Sequence, residues 1–144
     1  MKRSTATQCL VALVLLAGAS SAAHERRYDE GETRTLSETI PFESKRALIV
    51  ANVNGSIQVT GTAGSEIRLV AVERISARTR DRIEQARREV KLAIHETSDA
   101  VVICADGPFR DPDDCTEWRD DYRQDPRYEV AYEIELQVPH RIEL

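Results

Sequence analysis

Apolar and polar residues alternate most cleanly near the end of the chain, where Tyr128, Val130, Tyr132, Ile134, Leu136 and Val138 interleave with Glu129, Ala131, Glu133, Glu135 and Gln137. A period of two places each set on one face of an extended backbone, so a half-buried strand is expected here, ended by Pro139. Leu36, Ile40 and Phe42 share a parity and predict an earlier strand that stops near Pro41. Residues 47–53 form a short apolar run, and Ile57 and Val59 alternate with Ser56, Gln58 and Thr60 in a second. Asn54-Gly55 lies between them, and both residues tolerate the positive φ of a tight turn, so a hairpin is expected. In residues 66–75, Ile67, Leu69 and Ala71 fall on one face and Val70 and Val72 on the other, which predicts a strand covered on both sides.

The period then changes. Residues 79–89 are dense in Arg, Glu, Gln and Ala, with Ile83, Ala86 and Val90 at helical spacing and Thr79 in position to cap, so one short amphipathic helix is expected. Alternation returns at Val90, Leu92 and Ile94, a turn follows at Ser98-Asp99, and a further strand covers residues 100–104. Residues 106–127 hold three prolines and many charges, which rules out a central strand; a loop of about 20 residues in a compact domain is usually functional or disordered. The expected class is therefore mainly β with one short helix. After Pro139, Ile142 and Leu144 open another apolar run. Two readings of it stay open: an amino-terminal piece of a longer protein, or a terminus docked into the sheet.

The first residues follow a different logic. Lys2 and Arg3 precede an uncharged apolar run, residues 9–19, and Ser21-Ala22-Ala23 precede the charged His24-Glu25-Arg26-Arg27. That order is that of a secretory signal peptide over residues 1–23, and the run is shorter than the roughly 20 apolar residues a membrane span needs. Residues 24–33 then read as a flexible lead-in, and residues 34–144 as one β-rich domain. Without residues 1–23 the chain holds 18 basic and 25 acidic residues, for a net charge of -7 in place of -5. Such a surface repels phosphate backbones, so nucleic acid is not an expected partner. Cys9 would leave with the signal peptide, and Cys104 and Cys115, an even pair in an oxidising setting, are expected to be bridged.

The phrase Asn52-Val53-Asn54-Gly55-Ser56-Ile57-Gln58-Val59-Thr60-Gly61, with the apolar run after it, resembles a bacterial adhesin-like domain family of unknown function. Its members repeat short strands joined by such phrases in a β-solenoid-like stack. The likeness spans about residues 36–144, and the charged helical stretch and the last strand fall in the family's usual order. It implies a partial β-solenoid in which Asn54 and Gly55 set the coil turn and Ile57, Val59, Ile67 and Leu69 build the core. Members usually continue into further Asn-Gly coils, whereas this chain stops after Leu144.

Candidate chemistry is sparse. His24, His95 and His140 read as isolated from one another and from the cysteines, without zinc-site spacing, and His95 as a solvent-facing strand residue. The serines lack a nucleophile-elbow context, and the glycines sit at turns. The acidic loop, with Asp106, Asp111, Asp113, Asp114, Glu117, Asp120, Asp121 and Asp125, offers hard oxygen ligands suited to calcium. Its spacing is not that of an EF-hand, however, and Arg110, Arg119, Arg123 and Arg127 are interleaved to neutralise it, so a salt-bridged loop is expected. Phe109, Trp118 and Tyr122 form either a binding patch or a lid folded over the sheet. The expectation is an exported, non-enzymatic scaffold or adhesin-like domain of the cell envelope, without cofactor or metal. Its partner would be an envelope protein or a surface glycan. The rivals are a polysaccharide-acting enzyme and a calcium-stabilised binding module.

Overall fold

The alternating segment at the end of the chain is the centre of the molecule. In the computed structural model, which describes residues 28–42, 47–121 and 125–140, it forms β7 (Tyr128–Pro139). Its six apolar positions, Tyr128 through Val138, are all buried. Before it come β1 (Glu30–Pro41), β2 (Ala47–Ala51), β3 (Gly55–Thr62), β4 (Glu66–Ala77), helix α1 (Arg80–Glu89), β5 (Lys91–Glu96) and β6 (Ala100–Asp106). They build two mixed sheets, neither closed: four strands in the order β1-β4-β7-β3 and three in the order β2-β6-β5. One apolar cluster joins Ile67, Leu69, Ile134 and Leu136 of the larger sheet to Leu48, Val101 and Ile103 of the smaller and to Ile83 and Ala86 of α1.

Two pairings are parallel. β2 runs alongside β6, with Ala51 opposite Cys104, and β3 runs alongside β7, with Gly55 opposite Tyr132. The path β2–corner–β3 therefore tracks the path β6–loop–β7 from one sheet to the other. This corrects the expected hairpin. β2 and β3 belong to different sheets, and among the described residues Arg127 alone of the non-glycines has positive φ, so Asn54 does not adopt the conformation of a two-residue hairpin turn.

Other expectations shift at their edges. β1 begins at Glu30, inside the stretch read as a lead-in, because β4 extends to Ala77 and supplies backbone partners for residues 30–33. The outer face of β4 is not covered as a two-faced apolar strand would be: Arg68, Val70 and Arg74 are exposed, and Arg74 pairs with Glu133 across that face. Thr79 starts α1 through its carbonyl, which accepts from Arg82 and Ile83, and makes no side-chain cap bond. Ile83 and Ala86 turn inward, and α1 packs on β4, β7 and β1. The only buried acid among the described core residues, Glu73, accepts from the Tyr132 hydroxyl at 2.7 Å and pairs with Arg34 at 3.0 Å. Burial and that bond push the Tyr132 hydroxyl pKa up. Residues 1–27, Tyr122 and residues 141–144, which carry the signal-peptide reading, part of the aromatic patch and the final apolar run, lie outside the described residues.

Candidate functional site

The corner between β2 and β3 is built on the backbone of Tyr132. The Asn52 side-chain amide donates to the Tyr132 carbonyl at 2.8 Å, and the Tyr132 N–H donates to the Asn54 carbonyl at 2.9 Å. Asn54 donates from its side chain to Glu129 at 2.7 Å, which ties the corner to the start of β7. Gly55 has φ +103°, and a Cβ placed on it would lie 2.2 Å from the Tyr132 carbonyl oxygen. Only glycine fits so close an approach.

Beyond this corner the described residues leave an open edge. β2 and β3 are both outermost strands, and no residue from Ala47 to Ser65 is charged. The opposite edges differ: β1 carries Glu30, Glu32, Arg34 and Glu38, and β5 carries Lys91, His95 and Glu96. Charge on an edge strand blocks pairing with another chain, so this edge lacks the usual protection. Ile57 and Val59 lie beside Ile134 and Leu136 and share their inward face, yet they are 43% and 39% exposed. This corrects the expectation that Ile57 and Val59 build the core as Ile67 and Leu69 do: among the described residues no strand beyond β3 closes over them.

The loop after β6 folds back over the outer face of the smaller sheet. On that face Lys91, Ala93 and His95 pair with Asp106, Cys104 and Val102. Cys104 is fully buried beneath the loop and bonded to Cys115, their Cα atoms 6.1 Å apart. Arg110 holds the loop from inside. Only 3% exposed, it donates from Nε to the Ala105 carbonyl at 3.2 Å, from Nη1 to Thr116 at 3.1 Å and from Nη2 to Asn52 at 2.9 Å. Its guanidinium lies 4.4 Å from the Trp118 ring centroid, and burial lowers its pKa below the usual arginine value. Arg110 thus spends its hydrogen bonds on carbonyls, and Asp106 and Glu117 act on it through charge. Arg119 does pair with Asp121, at 3.0 Å.

The aromatic residues part company. Phe109 is buried, 5.4 Å from Trp118, whereas Trp118 is 55% exposed, so the described residues present one indole and not a patch of three. Of the acids, Asp111 accepts from the Asp113 N–H, and Asp114 accepts from the N–H and hydroxyl of Thr116, which lowers the Asp114 pKa. These bonds shape the turn. Asp106, Asp111, Asp113 and Asp114 also line a surface pocket with His95 and Cys115. Its imidazole stands within 4.8 Å of both sulfur atoms, which corrects the reading of His95 as remote from the cysteines. The β5–β6 register is what brings it there, and the only prior signal was the turn at Ser98-Asp99.

No family model, curated protein or solved structure matches the chain. Among the described residues no helix is long and apolar enough to cross a membrane.

Proposed function

We propose that this chain is an exported, non-enzymatic β-rich scaffold of adhesin-like kind, the first coils of a β-solenoid, that works in the cell envelope by accepting a further strand or coil on its β2–β3 edge. The observation that carries the proposal is the uncharged parallel edge with Ile57 and Val59 turned inward and left open. An added coil of the same pattern would complete both ladders at once and cover the two side chains, at roughly 25 cal/mol per Å² of apolar area removed from water. The sequence resemblance and the bridged cysteines support the same reading. Trp118 favours a second partner class: half its surface is open above Arg110, and an indole face stacks on a sugar ring.

The test uses the isotope-labelled chain without residues 1–23 and a lysine-flanked peptide of residues 47–61 as the strand probe. Chemical-shift changes confined to β2 and β3, and lost in Val59→Lys, are expected. No change in β2 and β3 with the peptide, together with changes around Trp118 on adding envelope polysaccharide, would replace edge pairing with glycan binding.

A further inference from the structure

We infer that Cys104, Cys115 and His95 form a redox-gated binding site for a soft divalent cation such as zinc, closed while the disulfide stands and opened by its reduction. The three side chains come from β6, the loop and β5, and their sulfur and nitrogen atoms all lie within 4.8 Å of one another. Two thiolates and an imidazole are the donor set zinc takes in tetrahedral sites, with Zn–S about 2.3 Å and Zn–N about 2.0 Å. Sulfur atoms sharing such a zinc stand a little under 4 Å apart, so only side-chain rotation is asked of Cys104 and Cys115, whose Cα atoms are 6.1 Å apart. The fourth position faces the carboxylate-lined pocket, where water completes the shell.

Access and charge agree with this. Cys104 is buried, Cys115 half-buried and His95 exposed, so the site runs from the sheet surface outward to solvent. Asp106, Asp111, Asp113 and Asp114 line its mouth and attract a cation. The carboxylates alone would not select a soft metal; the sulfurs do.

The chemistry balances with a dithiol as reductant. The dithiol gives two electrons and two protons to the Cys104–Cys115 bond and becomes a disulfide itself, leaving two thiols on the protein. Zinc then binds the two sulfurs and the His95 ring nitrogen, and the two thiol protons pass to solvent. Reoxidation by a disulfide-bearing oxidant takes two electrons from the thiolates, restores the bridge and releases the metal.

The experiment uses the full chain carrying Cys9→Ser, so that Cys104 and Cys115 are the only thiols. Oxidised and reduced samples are titrated with zinc against a chromophoric chelator, and cobalt is used as a spectroscopic probe. One zinc per reduced chain is expected, with thiolate-to-cobalt charge-transfer absorption, and no uptake by the oxidised chain. Cys115→Ser should abolish the charge-transfer signature. His95→Gln, an exposed position that leaves the fold intact, should weaken zinc by at least tenfold, about 1.4 kcal/mol. Zinc should also raise the melting temperature of the reduced chain and not of the oxidised one. Equal uptake by both redox forms would assign the metal to the carboxylates and overturn the site. Unchanged affinity in His95→Gln, or no uptake by the reduced chain, would overturn it too.

Discussion

Replacing Gly55 with alanine tests whether the β2–β3 corner is fixed by a close backbone approach or by turn chemistry alone. The added Cβ would sit 2.2 Å from the Tyr132 carbonyl oxygen and 2.8 Å from its carbon, far inside contact distance. Relief requires the corner to lift away from β7. Lifting strains the bonds from Tyr132 N–H to Asn54 and from Asn52 to the Tyr132 carbonyl, each worth about 0.5–1.5 kcal/mol net. Holding an alanine at positive φ costs a further 1–2 kcal/mol or so. Against these, the unfolded chain loses freedom worth about 0.4–1 kcal/mol. The net expectation is a loss of about 2–4 kcal/mol out of a typical total of roughly 5–15.

Urea unfolding measures this directly. With m of about 1–3 kcal/mol per molar, the midpoint should fall by roughly 1–2 M at unchanged m. Gly55→Asn separates the two causes, because asparagine tolerates positive φ but still brings a Cβ to Tyr132. The asparagine variant should therefore recover at most the φ cost of about 1–2 kcal/mol and keep the rest of the loss. An alanine variant within about 0.5 kcal/mol of the parent, or an asparagine variant that restores it, would refute the close-approach argument.

Arg110→Lys should cost about 2–4 kcal/mol, since one ammonium cannot reach the Ala105, Thr116 and Asn52 carbonyls together, and it should release Trp118. Indole fluorescence and urea unfolding read both effects. The Glu89 carboxylate accepts from the Tyr128 hydroxyl at 2.6 Å, which holds its pKa below the usual glutamate range. A carboxylate whose folded pKa is depressed contributes stability that is complete above the unfolded value and lost as pH falls through the folded one. Tyr128→Phe should accordingly flatten stability against pH below about 4.5 and leave the alkaline side unchanged, by urea unfolding across pH. Reducing the disulfide opens a ring of separation 11, worth about 3 kcal/mol in the chain-entropy account. In hydrogen exchange, reduction should loosen residues 52–56 in the parent and less so in Arg110→Lys, because Arg110 links Thr116 to Asn52.

The strands were legible wherever burial on one face imposed a period of two, as in β7, and the helix was legible because Ile83, Ala86 and Val90 keep a different period. Pairing was less accessible. Asn54-Gly55 marks a reversal in a hairpin and a corner between two sheets alike, and only the long-range partner Tyr132 distinguishes them. Likewise Ile57 and Val59 have the pattern of core residues, and their exposure follows from β3 being outermost, which no local pattern encodes. The site around His95 was hidden for the same reason. Its neighbours are set by a hairpin register and by a loop that folds back, whereas sequence spacing lists them as unrelated.

Three restraints converge on the corner at Asn52, and their origins explain why one open edge can stay ordered. Asn52 reaches back to β7, Gly55 presses on Tyr132, and Arg110 brings the capping loop to the Asn52 carbonyl. An edge strand without charged residues would ordinarily be prone to slip in register or to pair indiscriminately. Here register is imposed from one end, by groups that leave the outward backbone of β2 and β3 untouched. Rigidity at the corner lowers the ordering entropy that an added strand must overcome, so in the proposed edge pairing the contacts that fix the fold would also favour the partner. The loop enters this arrangement through Arg110, which makes the bridged cysteines a remote anchor of the edge and gives their redox state a route to it.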